Sequence, residues 1–68
     1  MYYLYGYNEL NSKDSNWQLI DTKETKEDML IRASLSGVNT NGAYEIEGVY
    51  SGWGGGYSVY KITRERLE

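Results

Sequence analysis

Tyr44-Glu45-Ile46-Glu47-Gly48-Val49-Tyr50-Ser51-Gly52-Trp53-Gly54-Gly55-Gly56-Tyr57-Ser58-Val59-Tyr60-Lys61-Ile62 decides the fold. Two alternating runs flank a glycine-rich connection, which is the pattern of a β-hairpin with a long loop. Pairing Val49 with Val59 gathers Tyr44, Ile46, Gly48, Tyr50, Ser58, Tyr60 and Ile62 on one face. Glu45, Glu47, Val49, Val59, Lys61 and Thr63 take the other. This register sets Glu47 against Lys61 as an opposite-charge pair and lays the Tyr60 ring over Gly48. A slip of one residue would face Ile46 with Lys61 and exchange the faces; the alternative to this register is a bulge at Gly48, which glycine permits. The expected loop is Ser51–Tyr57, with four glycines around Trp53.

Working outward, residues 2–8 hold four tyrosines and a leucine, a strand composition. Alternation puts Tyr3, Tyr5 and Tyr7 on one face and Tyr2 and Leu4 on the other. Asn8 to Asn16 is polar and reads as a loop. Trp17–Asp21 reads as a second strand, with Trp17 and Leu19 on one face and Gln18 and Ile20 on the other. A helix is expected over residues 24–36. Thr25 precedes Asp28 by three places, as an N-cap requires, and Glu27 and Asp28 suit the positive end of the dipole; Asp21 or Thr22 is the alternative cap, one turn earlier. Its apolar arc reads as Leu30, Ile31, Ser34, Leu35 and Val38, with Asp28, Arg32, Thr25 and Ser36 opposite. Gly37 stops it, and Asn41-Gly42 turns the chain into the second hairpin.

The predicted order is therefore β-β-α-β-β: an α+β domain, residues 1–66, with a four-stranded antiparallel sheet and one helix packed on one face. Leu67-Glu68 reads as a purification-tag remnant. The expected core draws on Leu4 or the Tyr3/Tyr5 face, Leu19 or Ile20, Leu30, Ile31, Leu35, Ile46, Tyr60 and Ile62. A chain of 68 residues buries only ~60% of its unfolded surface, so one core has limited use for eight tyrosines and two tryptophans. Aromatic surface left over on the other sheet face marks an interaction site. The candidate binding residues are Trp53, Tyr57, Tyr50, Tyr3, Tyr5 and Tyr7.

Composition narrows the chemistry. There is no cysteine and no histidine, which removes disulfides, zinc fingers and thiol or imidazole catalysis. The glycine run leads into a strand rather than a helix, and no Lys-Ser/Thr follows it, so it lacks the context of a phosphate loop. Glu45 and Glu47 read as a solvated strand face rather than a glycosidase pair. The expectation is a non-enzymatic protein-binding module without cofactor or metal. A net charge of −3 with scattered Lys and Arg disfavours duplex nucleic acid. The alternative is a single-strand binder stacking bases on Tyr3, Tyr5, Tyr7 and Trp53. No apolar run approaches the ~18 residues of a membrane span, and the N-terminus lacks the pattern of a signal peptide, so a cytoplasmic address is expected.

Short length, tyrosine-rich ends, an acidic balance, and the phrases Trp17-Gln18-Leu19-Ile20-Asp21-Thr22 and Gly42-Ala43-Tyr44-Glu45-Ile46-Glu47-Gly48 resemble small uncharacterised proteins of phages and prophages of Gram-positive bacteria. The resemblance implies a host-interaction or phage-regulatory role, with a host protein for partner; the tyrosine-rich sheet surface offers a second copy of the chain, as a homodimer, instead. It carries no family site.

Overall fold

The computed structural model describes residues 1–8, 17–38, 46–52 and 56–67. Strands β1 (Tyr2–Tyr7), β2 (Gln18–Lys23), β3 (Gly48–Ser51) and β4 (Val59–Thr63) form one antiparallel sheet in the order β2-β1-β4-β3. The helix α1 (Lys26–Leu35) follows β2 and lies across β1 and β2. This is the α+β fold expected from the alternation of the runs.

The first hairpin keeps the expected faces. Leu4 is fully buried beneath the helix layer, while Tyr3, Tyr5 and Tyr7 point the other way. Its register shifts between Leu4 and Tyr5: Leu4 pairs with Asp21 and Tyr5 with Leu19, leaving Ile20 as the extra residue of a β-bulge. The second strand starts and ends later than expected, at Gln18 and Lys23.

The second hairpin corrects the expected register. Val49 pairs with Lys61 and Ser51 with Val59, two residues away from the Val49–Val59 pairing. A two-residue shift preserves the side-chain faces, so hydrophobic alternation cannot distinguish the two registers. Close packing does. The Tyr60 ring lies against Gly52, not Gly48: a Cβ on Gly52 would stand 2.7 Å from Tyr60 Cε2. Tyr50 instead lies over Gly48 and donates its hydroxyl to the Ile46 carbonyl at 2.6 Å. Glu47 is correspondingly not opposite Lys61. Its Oε1 accepts the Arg64 N–H at 2.9 Å. β3 ends at Ser51 and β4 begins at Val59, and Val38 bridges to Gly52 just beyond β3.

The helix starts as the sequence prescribes. Thr25 is extended (φ −116°, ψ 155°), and its hydroxyl oxygen accepts the Asp28 N–H at 3.1 Å. At the other end Gly37 takes φ 74°, a left-handed value that favours glycine. The Gly37 N–H donates to the Ser34 carbonyl and the Val38 N–H to the Ala33 carbonyl, each at 3.0 Å, which satisfies carbonyls the helix end would leave open. This closure drives Val38 into the core.

The buried helix face is a second correction. Met29 and Ala33 are fully buried and Ser36 nearly so. Leu30 packs at the margin, whereas Ile31 is 62% and Leu35 76% exposed. Met29 fills the core beside Leu4 and Ile62, and tyrosine volume accounts for the small residues next to it. Tyr60 rises fully buried from the sheet, its hydroxyl directed at the Ser36 carbonyl at 3.5 Å, with Tyr2, Tyr50 and Tyr57 packed around the core. Large residues on the sheet need small residues on the facing helix, and Ala33 and Ser36 supply them. Asp21 ties the two layers together: its Oδ2 accepts Arg32 Nε–H at 2.9 Å and its Oδ1 accepts the Thr22 N–H at 2.7 Å.

Candidate functional site: the helix-free face of the sheet

Among the described residues, α1 covers one side of the sheet and no second layer covers the far side. Strand parity and register place Tyr3, Tyr5 and Tyr7 of β1, Leu19 of β2, Val59, Lys61 and Thr63 of β4, and Val49 and Ser51 of β3 there. Trp17, one residue before β2, joins them by packing edge-on against Tyr7, centroids 4.6 Å apart and planes at 84°. Edge-to-face geometry brings the positive rim of one ring to the negative face of the other. Lys61 Nζ stands 5.9 Å from the centre of the Trp17 ring, within cation–π range. Leu19 is 43% and Val49 61% exposed on either flank.

The upper part of this face is closed by the chain itself. Beyond β4 the Glu65 N–H donates to Thr63 Oγ1 at 3.0 Å, turning the backbone. The Leu67 N–H then donates to the Tyr5 hydroxyl at 2.9 Å. Tyr5 is thereby buried, its ring stacked at 6.3 Å on half-buried Tyr3. Among the described residues, the corner built by Tyr7, Trp17, Leu19 and Lys61 stays accessible, with Val49 and Ser51 across the sheet.

Three of the six candidate binding residues, Tyr3, Tyr5 and Tyr7, therefore share this face, and Tyr5 is spent internally. Tyr57 and Tyr50 are on the helix side. The Tyr57 ring covers Gly6 and packs edge-on to Tyr60 at 6.0 Å, while its hydroxyl donates to Gln18 Oε1 at 3.3 Å. Tyr50 is half-buried beside Ile46, and its burial pushes the phenol pKa above its ordinary value. Trp53 lies outside the described residues. Sequence reasoning passed over Trp17, Leu19, Val49 and Lys61 as site residues. The signal for Trp17 and Leu19 was their shared parity with one another, which joins Tyr5 and Tyr7 once the strands pair.

A second apolar surface lies on the outer side of α1. Exposed Ile31 and Leu35, one turn apart, line an open groove of about 260 Å³ with Lys23, Asp28 and Arg32. Lys23 Nζ is 3.8 Å from Asp21 Oδ2, so both cations there share that carboxylate. The Thr22 amide, and then these cations, hold the Asp21 carboxyl below its ordinary pKa of 3.8, against the opposing effect of burial.

Among the described residues, no three His, Cys, Asp or Glu side chains group as metal ligands, and no helix is long and apolar enough to cross a membrane. Compared with known protein families, curated proteins and solved structures, the chain matches none.

Proposed function

We propose that the protein is a non-enzymatic protein-binding module, a phage- or prophage-encoded modulator of a host protein acting in the cytoplasm. Its contact surface is the helix-free face around Trp17 and Tyr7. The observation that carries this reading is the Tyr7–Trp17 pair standing beside exposed Leu19 on a sheet face the helix does not cover. Rigid aromatic side chains give contact area at low entropic cost and are enriched among interface hot spots. Single-stranded nucleic acid is the weaker reading. Base stacking comes with several backbone-tracking cations, and among the paired strand residues of this face Lys61 is the one cation.

Peptide display selected against the full chain, with counter-selection on Tyr7→Ser/Trp17→Ser, tests the proposal. Enriched peptides should bind the natural chain and lose binding to the double variant. Equal binding to both would refute the assignment of the face. Light scattering across protein concentrations reports whether a second copy is the partner that occupies it.

A further inference from the structure

We propose that this face recognises a protein segment carrying a carboxylate between apolar side chains, with Lys61 as the group that reads the charge. This deepens the preceding reading and rests on it. Lys61 sits in the interior of the face, flanked on its own row by Tyr5 and Val49. Its side chain is half-buried and its ammonium lies over Trp17. Among the described residues it makes no ion pair. The carboxylate that alternation suggested for it, Glu47, is displaced by the two-residue register and accepts the Arg64 amide instead. Among the described residues, the result is an ammonium on an aromatic and aliphatic surface with no carboxylate paired to it.

An ammonium in that setting selects by charge. Covering the face with an apolar partner would desolvate Lys61 and leave it unpaired, which is costly. A partner carboxylate removes that cost and orients the segment. Aliphatic neighbours of the carboxylate would pack on Leu19, Trp17 and Tyr7. A single cation matches one carboxylate. A nucleic-acid backbone presents a phosphate at every nucleotide and needs a track of cations to follow it.

The test is an NMR titration of the full chain, following the Trp17 indole N–H and the Lys61 amide. The probes are three short synthetic peptides, identical but for a central Glu, Gln or Lys flanked by leucine and valine. The Glu peptide should shift both resonances saturably and bind about tenfold more tightly than the Gln peptide, the Lys peptide more weakly still. Lys61→Met, which keeps the aliphatic stem, should erase the Glu–Gln difference while the fold stays intact by its amide spectrum. Equal affinity for Glu and Gln peptides through Trp17 would overturn the charge-reading role and leave the contact face standing. Shifts confined to Ile31 and Leu35, or to none of these residues, would overturn both. A salt-sensitive shift of Trp17 by an oligothymidylate, stronger than by any peptide, would overturn the protein partner in favour of single-stranded nucleic acid.

Discussion

Gly6 offers the sharpest test of how the two layers are fitted. It sits in the middle of the sheet, paired with Gln18 on one side and Tyr60 on the other. A Cβ there would stand 2.8 Å from Tyr57 Cγ, 2.9 Å from Ile20 Cδ1 and 3.1 Å from Tyr57 Cβ. The Ile20 methyl can swing aside. Tyr57 Cβ and Cγ cannot, because they are anchored to the backbone just before β4. Overfilling such a site costs ~1–3 kcal/mol. Replacing a strand glycine returns about 0.5–1 kcal/mol of backbone entropy. Gly6→Ala should therefore destabilise by ~1–2 kcal/mol. In urea, with a slope near ~1 kcal/mol per molar for a chain this small, the midpoint should fall by about 1–2 M. The thermal midpoint should fall by about 5–15 °C. The double-mutant cycle is decisive. Tyr57→Ala alone should cost ~2–3 kcal/mol, as the half-buried ring is lost. On that background Gly6→Ala should cost at least ~1 kcal/mol less than in the natural chain. Equal costs in the two backgrounds, or a stabilised Gly6→Ala, would refute the Tyr57–Gly6 contact.

Other expectations follow from the same packing. Met29→Ala should cost ~2–4 kcal/mol in urea denaturation, whereas Leu35→Gln should stay within ~0.5 kcal/mol of the natural chain. The reverse order would restore the helix face expected from hydrophobicity alone. Thr25→Ala should cost ~1 kcal/mol through its lost cap, visible in the same assay. Asp21→Asn should destabilise by ~0.5–1 kcal/mol at neutral pH, since the pairs it loses are partly exposed. Because the Asp21 pKa is lower folded than its ordinary 3.8, its stabilisation is complete above that value and is lost as pH falls through the depressed one. The gap between Asp21→Asn and the natural chain should close in acid and persist at neutral pH, as measured by thermal melts.

The parts of the structure that follow from period and chemistry could be read from the residues. Alternation gave both faces of β1, and Thr25 gave the helix start. Distances between layers could not be read. Ile31 and Leu35 are more apolar than Ala33 and Ser36, yet they face outward, because the helix turns Met29, Ala33 and Ser36 to the sheet and sets the small pair against Tyr60. The hairpin register failed for a related reason: two alignments share the same faces, and only the Tyr60–Gly52 approach separates them. Trp17 was visible as a strand-face aromatic, but its partnership with Tyr7 and Lys61 depends on the order in which the strands assemble.

The bulge at Ile20 bears on how the sheet survives in a crowded solution. β2 is an edge strand, and an edge strand is a template for adding foreign chains. Here the extra residue breaks the regular spacing of its amides, the Asp21 carboxylate already occupies the Thr22 amide, and Lys23 places a charge at the strand's end. The opposite edge, β3, spans only four residues, and Val38 bridges the chain just beyond it. Both borders are thus poor seeds for fibrillar growth. A chain with this many strand-forming tyrosines keeps its described strand edges from serving as templates for further pairing.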